Sequence, residues 1–445
     1  MSRSHVLTAA LVAGLLHTAP VLLAAQEPSP LPKDLEARID ALEPKIVAWR
    51  RDIHQHPELG NREGRTAKLV ADHLRSLGIE TRTGVAHTGV VGVLRGGKPG
   101  PVILLRADMD GLPVEERNAL PFRSRARGFF NGDSVAVMHA CGHDAHVAIL
   151  MGVAEVLAAD RANLAGTVKF MFQPAEEGPP LGEKGGAELM VAEGVLSEPT
   201  VDVAFGLHIN SALETGTIGY TAGGAMASAD DFRITVKGKQ VHGAYPWNGT
   251  DPIVAAAHIV TGLQTIVSRN MELAEAASVV TIGKITGGVR SNIIPEQVEM
   301  IGTLRALTPS DRQMVHRRVR EIATGVGQAM GAQVEVQIPL VTSYPVTYND
   351  PALVERMAPV LRAVIGADRV TGRKAVMGAE DFSFLQEKVP GFYFFLGARR
   401  KDLPVELAPA HHTPDFHIED TDLEVGVKAF VGLVRAYGAS RMASR

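Results

Sequence analysis

The chain has 445 residues, of which 45% are hydrophobic and 21% are charged, and its formal net charge is −4. This length exceeds what one hydrophobic core usually organises, so we expect two folded units. The small net charge, and a sequence without any basic run interleaved with aromatic residues, argue against a nucleic-acid-binding protein.

The N-terminal stretch differs in composition from the rest. Arg3 precedes an apolar run from Val6 to Ala25 that contains no acidic residue and ends in small side chains. This pattern is typical of a secretory signal peptide over residues 1–25, removed near Ala25, and predicts a periplasmic or secreted protein without a membrane partner. A retained membrane anchor is the alternative, although Thr8 and Pro20 interrupt the run.

Helical and strand-like patterns alternate along the first part of the chain. Apolar spacing predicts helices over residues 31–59, 66–77 and 147–159, and strands over residues 90–94, 101–107, 167–172 and 201–207. Strands that alternate with helices predict an α/β domain with a mostly parallel sheet flanked by helices.

From about residue 219 the pattern changes. Strands are predicted over residues 232–237, 278–285, 296–304 and 333–338, and helices over residues 252–267 and 310–330. This order predicts an α+β lid with a four-stranded antiparallel sheet and two helices on one face. The first pattern resumes with a helix over residues 351–365, a strand over 392–396 and a last helix over 421–437 that Gly438 ends. We therefore predict a catalytic domain in two parts, 26–218 and 339–445, with a lid and dimerisation domain, 219–338, inserted.

Cys141 is the single cysteine of the chain, so an exported protein cannot use it in an internal disulfide. It lies in the densest cluster of potential metal ligands, His139-Ala-Cys-Gly-His-Asp-Ala-His146. Thiolate, imidazole and carboxylate together suit zinc and similar divalent ions. Gly142 would let the backbone turn so that Cys141 and His143 face one site. For any one histidine alone, a structural role at the start of the helix is the alternative.

Acidic and imidazole side chains also follow three predicted strands. Asp108 and Asp110 follow one strand, Glu176 and Glu177 another, and His208 a third. Sites in open α/β sheets form beyond the carboxyl ends of the strands, so these residues are expected to converge. Adjacent carboxylates can face opposite sides, which would let one bind metal while the other takes a proton from water. A solvated loop is the alternative for the two glutamates.

Several segments, taken in order, are similar to those of one enzyme family. They are His56-Pro-Glu-Leu-Gly60, Arg106-Ala-Asp-Met-Asp110, Met138-His-Ala-Cys-Gly-His-Asp-Ala-His146, Gln173-Pro-Ala-Glu-Glu177, Gly378-Ala-Glu-Asp-Phe382 and His412-Thr-Pro-Asp-Phe416. The chain resembles the co-catalytic metallopeptidases of the aminoacylase and glutamate-carboxypeptidase type. Within them it resembles the amidohydrolases: hippurate hydrolase, N-acyl-amino-acid amidohydrolase and the plant indole-acetyl-amino-acid hydrolases. Several motifs in the right order make this resemblance specific.

The resemblance implies two divalent metal ions per subunit, bridged by the Cys141 thiolate. The other implied ligands are His143, Glu177, His208 and His412. Glu176 is expected to be the general base and then the acid that protonates the leaving nitrogen, and Asp110 is expected to orient the ligands. Zinc is the expected metal, with manganese, cobalt or nickel as alternatives. No role is assigned to Asp108.

The predicted lid carries further residues of the implied site. His242 is expected to stabilise the oxyanion, and Asn292 and Arg305 to hold the substrate's carboxylate or polarised carbonyl. An ordinary charge at a strand end is the alternative for Arg305. In the catalytic part, Gly378 and Glu380 are expected to contact substrate. Lid residues of relatives act across a dimer interface, so the resemblance implies a homodimer through the lid.

The chain departs from the family pattern at three places. Ser211 stands where the family usually has proline, three residues after the ligand that corresponds to His208. Residues 179–184 look like an insertion after the paired glutamates, and residues 123–137 are longer than usual before the Cys-Gly-His segment. Both insertions bear on substrate choice more than on the chemistry.

The expected activity is hydrolysis of the amide bond of a small-molecule N-acyl amino acid, to a carboxylic acid and a free amino acid. One alternative is a metallocarboxypeptidase or dipeptidase that accepts peptides with a free amine. A second alternative is a non-catalytic periplasmic binding protein with the same fold. The presence of Glu176 argues against the second alternative, because binding alone does not need that carboxylate.

Overall fold

A computed structural model describes residues 31–275, 277–341 and 343–442 of the chain. The predicted signal peptide lies outside these residues, and its processing remains a prediction. Within the described ranges, no helix has both the length and the apolar character that a membrane span requires.

The regular elements are numbered in chain order. The helices are α1 (Lys33–Asp40), α2 (Glu43–Gln55), α3 (Gly64–Ser76), α4 (His143–Ala159), α5 (Gly186–Ala192), α6 (Pro252–Asn270), α7 (Pro309–Ala329), α8 (Pro351–Ile365), α9 (Ser383–Gln386) and α10 (Glu424–Met442). The strands are β1 (Glu80–Val85), β2 (Gly89–Arg95), β3 (Lys98–Asp108), β4 (Arg127–Phe130), β5 (Asp133–Ala136), β6 (Ala165–Gln173), β7 (Val203–Glu214), β8 (Ile218–Tyr220), β9 (Gly223–Met226), β10 (Ala229–Lys237), β11 (Val241–His242), β12 (Ser278–Gly287), β13 (Ile293–Ile294), β14 (Gln297–Ala306), β15 (Gln333–Gln337), β16 (Ser343–Tyr344), β17 (Thr347–Asn349), β18 (Val370–Gly372) and β19 (Gly391–Arg399).

The larger sheet has eight strands in the order β1-β2-β6-β3-β7-β19-β8-β18. Its four central strands, β6, β3, β7 and β19, are parallel to one another. Strand β2 on one side and β8 on the other pair antiparallel with this group. Helix α4 is buried along nearly its whole length and packs with α10 against this sheet. The predicted α/β fold with a mostly parallel sheet and an inserted lid is confirmed.

The register of the central strands determines which side chains meet at their carboxyl ends. Asp108 on β3 pairs with Gln173 on β6, and Arg106 on β3 pairs with Gly206 on β7. The segment after Gln173 and the part of β7 that holds His208 therefore lie at the level of Asp108, where the pairing of β3 with β7 has ended. This alignment brings residues that are far apart in the sequence to one edge of the sheet.

The smaller sheet has the order β12-β14-β10-β15, and β16 adds a fifth strand by pairing with β10. All its pairs are antiparallel, and α6 and α7 contribute to a shared apolar core with the sheet. The fifth strand was not predicted, because two residues carry no periodic signal. Strands β8 and β9 lie in or beside the range 219–338 that is predicted for the lid. Both pair with strands outside that range. The domain bounds remain a prediction.

The prediction that Gly438 ends the last helix is wrong. Helix α10 continues to Met442. A Cβ atom at position 438 would lie 2.8 Å from the carbonyl oxygen of Ala165, where β6 begins. Glycine at this position therefore lets the helix approach the sheet closely, and does not break the helix.

Glu424, in the first turn of α10, is expected to make the stability of the protein depend on pH. Burial raises its pKa to about 7, with Glu43 and Asp422 adding repulsion, and its Oε2 has no hydrogen-bond partner. The unfolded chain ionises at the ordinary pKa of about 4.3, so the wild type loses stability as the pH rises from there to about 7. We expect Glu424→Gln to be more stable at pH 8, by on the order of 1–3 kcal/mol, with no such gain at pH 4.

Urea unfolding between pH 4 and pH 8 measures this difference. Glu355→Gln is the matched control, because Glu355 is an exposed glutamate on the neighbouring helix α8. A stability difference between Glu424→Gln and wild type that stays constant across this pH range would contradict the prediction.

Candidate metal centre

Asp110, which follows β3, holds three other predicted site residues in place. Its Oδ1 accepts the backbone N–H of Glu176 at 3.1 Å, and its Oδ2 accepts the backbone N–H of Glu177 at 3.0 Å. His143 Nδ1 lies 3.2 Å from the same Oδ1. One buried carboxylate thus fixes both glutamates and the ring of His143, which is the contact expected of a residue that orients ligands.

Two residues with positive φ angles aim the side chains of this site. Gly142 has φ +95° directly before α4, so the predicted turn between Cys141 and His143 is present. Ala175 has φ +51°, a conformation that costs a non-glycine residue about 1–2 kcal/mol. The carboxylate of Glu63 accepts the N–H of Ala175 at 2.9 Å and holds this turn immediately before Glu176.

Three imidazoles surround the buried sulfur of Cys141. Its Sγ lies 3.3 Å from Nε2 of His412, 3.4 Å from Nε2 of His208 and 3.7 Å from Nδ1 of His411. His412 Nε2 also lies 2.9 Å from Oε1 of Glu177. The structure therefore brings Cys141, Glu177, His208 and His412 together, as the sequence predicts, and adds His411.

His143 completes the set of predicted ligands. Its ligand atom lies within 4.8 Å of those of Glu176 and Glu177. Nε2 of His143 is buried and has no hydrogen-bond partner. Burial alone would lower the pKa of His143, but the carboxylates of Asp108 and Asp110 raise it to about 10. An unsatisfied ring nitrogen in a site with several buried carboxylates fits divalent cations, which accept this mixture of sulfur, nitrogen and oxygen donors.

Glu176 lies beside this cluster and is buried. Its Oε2 is 3.9 Å from Nε2 of His143, and its backbone carbonyl accepts the hydroxyl of Tyr344 at 2.9 Å. Burial raises its pKa well above the ordinary range, and the carboxylates of Glu380 and Glu177 add to this. A glutamate whose pKa is raised is suited to accept a proton and later return it.

Arg106 is a fully buried cation under the site. Its guanidinium lies 2.6 Å from Asp108, 2.7 Å from Glu380 and 2.8 Å from Asp381. Although burial would raise it, Arg106 and the nearby histidines hold the pKa of Asp108 well below its ordinary value. The sequence motif contains Arg106 and Asp108, but the pattern gives no indication that Arg106 also neutralises two acids from a distant segment, Glu380 and Asp381.

Replacing Arg106 by methionine is expected to destabilise the metal-free protein by about 3–5 kcal/mol, because Asp108, Glu380 and Asp381 would then be buried without their counter-charge. Urea unfolding measures the loss. Arg95→Met is the matched control, since Arg95 pairs with Glu80 on the surface, and its loss is expected to cost less than about 1 kcal/mol. Equal losses in the two variants would refute the structural role given to Arg106.

The predicted lid residues make none of the described contacts of the metal-ligand cluster. His242 and Asn292 are exposed neighbours on the β11–β13 pair, where the N–H of Gly243 donates to the carbonyl of Asn292 at 2.8 Å. Arg305 lies on β14 opposite Val279. Within the part of the chain that the structure describes, no hydrogen bond or ion pair joins these three predicted residues to the cluster. Their roles remain predictions.

The two predicted substrate contacts of the catalytic part differ in exposure. Gly378 is exposed and its carbonyl accepts the N–H of Ala227 at 2.9 Å. Glu380 is buried. Its carboxylate accepts hydrogen bonds from the guanidinium of Arg106 and, at 2.5 Å, from the hydroxyl of Tyr393. These contacts make Glu380 one of the three acids that surround the buried Arg106. Substrate contact by Gly378 or Glu380 remains a prediction.

Two histidines that the sequence reasoning left without a role lie beside the cluster. His146 Nδ1 lies 2.5 Å from Oδ1 of Asp108, and its Nε2 accepts the N–H of Ile209 at 2.8 Å. It thereby links β3 to the strand that carries His208. His411 contacts the cysteine sulfur directly. The adjacent pair His411-His412 was visible in the sequence, but the motif points only to the second histidine.

Comparisons with known proteins give consistent results. The model of the peptidase family M20/M25/M40 matches residues 104–436. Thermostable carboxypeptidase 2 of Saccharolobus solfataricus is 38% identical over 90% of this chain and 97% of that protein. N-acetylcysteine deacetylase of Bacillus subtilis is 38% identical over 88% of this chain and 97% of that protein. A crystal structure of a dinuclear metal-binding peptidase from Bacillus subtilis has a TM-score of 0.75 and 34% identity, covering 90% of this chain and 99% of that one.

Proposed function

The chain belongs to the peptidase family M20/M25/M40, and from this membership we propose that it hydrolyses the amide bond of N-acyl amino acids, giving a carboxylic acid and a free amino acid. The family resemblance predicted from the motifs is confirmed, and the chain is a metal-dependent hydrolase of amide bonds. The enzymes among its relatives give no support to the alternative of a non-catalytic binding protein.

One observation carries this proposal: Glu176 lies buried beside the metal-ligand cluster, with its backbone held by Asp110. Two divalent ions held by Cys141 and the other predicted ligands would lower the pKa of a water molecule and polarise the amide carbonyl. The carboxylate of Glu176 takes the proton of that water and then donates it to the departing amino-acid nitrogen. Asp110, which accepts the backbone N–H groups of Glu176 and Glu177, keeps both residues in place during the two proton transfers.

The test is a comparison of substrates on the metal-reconstituted protein. Acetyl- and benzoyl-amino acids are expected to be cleaved with a higher kcat/KM than dipeptides that have the same C-terminal residue and a free amine. Faster cleavage of the dipeptides would contradict the proposal. The 38% identity with thermostable carboxypeptidase 2 makes peptidase activity the second candidate, and the same panel decides between them.

We propose zinc as the native metal. A buried thiolate among imidazoles favours zinc, whereas the carboxylate of Glu177 also admits manganese, cobalt or nickel. Stripping the protein with a chelator and restoring each ion separately, with kcat/KM and bound-metal content measured for each, tests this proposal. If another ion gave a higher kcat/KM than zinc at equal occupancy, the proposal that zinc is the native metal would be wrong.

We also propose that two copies associate through the smaller sheet and that His242 acts in the partner's active site. His242 is exposed, and its described hydrogen bond is to the N–H of Ala244 and not to the cluster of its own chain. Large apolar side chains are exposed on the same unit: Val289 is 94% exposed, Trp247 75% and Ile285 55%. Strand β12 ends the sheet order and carries Ile285, so this apolar side chain lies on an open sheet edge.

Mixing two inactive variants tests this arrangement. In a heterodimer of Glu176→Gln with His242→Ala, one active site has both Glu176 and the partner subunit's His242. Equal mixing with subunit exchange is therefore expected to restore about one quarter of wild-type activity. Recovery of no activity, in a mixture whose mass by light scattering is that of a dimer, would contradict the role of His242 across the interface.

A further inference from the structure

Strand β7 is irregular just after His208, and this frees a backbone donor. Asn210 pairs with Gly397 and Glu214 pairs with Arg399, so the three residues 211–213 of β7 stand opposite the single residue Ala398 of β19. Within this irregular stretch, the N–H of Ser211 donates to Nε2 of His411 at 3.2 Å. A proline at position 211 would lack this donor.

This hydrogen bond fixes where the proton of the His411 ring lies. Because Nε2 accepts the N–H of Ser211, Nε2 carries no proton, and the neutral ring has its N–H on Nδ1. Nδ1 lies 3.7 Å from Sγ of Cys141. The ring is also held from its sides, with ring centroids 4.7 Å from Phe416 and 5.4 Å from His208. His411 therefore presents a donor to the sulfur and has no free nitrogen lone pair for a metal ion.

We propose that His411 is a positioning residue whose Nδ1–H donates a hydrogen bond to the Cys141 thiolate, with Ser211 holding the required tautomer. This inference rests on the proposed metal centre. The sulfur is buried and lies in the same ligand group as the carboxylate of Glu177, so negative charge on it is disfavoured unless donors or cations offset it. His411 supplies such a donor from the protein, and its neighbour His412 presents Nε2 to the same sulfur as a predicted ligand.

Cobalt-substituted protein gives a readout other than activity. Cys141 is the only cysteine, so a sulfur-to-cobalt charge-transfer absorption band reports on this thiolate alone. In His411→Leu we expect the band to move to longer wavelength, because the sulfur loses a hydrogen-bond donor. We also expect cobalt to bind roughly 10- to 100-fold more weakly, as when other partners of ligands are removed.

His411→Asn is the matched control, because its side-chain amide can place an N–H near the position of Nδ1. It is expected to keep the band close to that of the wild type. A band that is unchanged in His411→Leu overturns the proposal and leaves the backbone carbonyl of Cys141 as the acceptor of the ring. An equal shift in both variants, or the loss of one bound cobalt ion from His411→Leu at saturating cobalt, also overturns it.

Two further substitutions keep the proposal testable if His411→Leu does not fold. Ser211→Ala retains the backbone N–H and is expected to leave the band unchanged, whereas Ser211→Pro removes it and is expected to shift the band as His411→Leu does. Equal spectra for these two variants overturn the role of Ser211. A wild-type protein that binds cobalt without any charge-transfer band would instead refute thiolate ligation, and with it the metal centre on which this inference rests.

Discussion

Replacing Glu176 by glutamine is expected to lower kcat for an N-acyl amino acid by roughly 10²- to 10⁴-fold, the usual contribution of a general acid and base. Glutamine has nearly the same shape but cannot accept the proton of water. The carboxyl of Glu176 is buried, and its pKa is raised by burial and by the carboxylates of Glu380 and Glu177. Steady-state kinetics on the metal-loaded protein measure the effect.

Three readouts separate this loss from general damage to the site. Metal content and thermal stability are expected to stay at wild-type values, and KM is expected to change much less than kcat. Glu183→Gln is the matched control, because Glu183 lies on the same loop but pairs with Arg62 at the surface. Full activity of Glu176→Gln would show that another group takes the proton.

Replacing Cys141 by alanine is expected to abolish binding of at least one of the two ions and, with it, activity. The sulfur lies within 3.3–3.7 Å of three imidazole nitrogens, so no other atom in the described site is placed to join the predicted ligands in the same way. We expect metal affinity to fall by more than about 100-fold, because even partners of ligands contribute about 10- to 100-fold. Calorimetry of metal binding and elemental analysis measure this loss.

The metal-free form of Cys141→Ala provides the control. Alanine is smaller and apolar, so the unfolding free energy of the metal-free protein is expected to fall by no more than about 2 kcal/mol. Cys141→Ser, which offers an oxygen in place of sulfur, is expected to retain weak binding. Wild-type metal content in Cys141→Ala would show that the thiolate is not a ligand.

Elements with local start and stop signals could be predicted from the sequence. Helix α8 has the predicted bounds, because Asp350 caps it by accepting the N–H of Leu353 at 2.7 Å and Gly366 follows its last residue. Capping side chains followed by proline also begin α6 at Asp251 and α7 at Thr308. The predicted end of α10 was wrong because Gly438 allows close packing against a strand that is far away in the sequence, and does not end the helix.

The site could be predicted to the extent that short motifs carry it. Motifs identified Asp110, Glu176 and the predicted ligands, and the structure brings these residues together. The positive φ of Ala175 and the three acids around Arg106 could not be predicted, because tertiary contacts alone impose them. His411 was missed for a related reason: its role depends on the irregular pairing of β7 and on the N–H of Ser211.

The hydroxyl of Tyr344 bonds to the backbone carbonyl of Glu176, and Tyr344 belongs to β16, the last strand of the smaller sheet. The segment through which that sheet continues into the catalytic part therefore lies one hydrogen bond away from the backbone of Glu176. A displacement of β16 relative to this loop would have to break that bond or carry the loop with it. The position of the predicted base is in this way tied to the position of the smaller sheet.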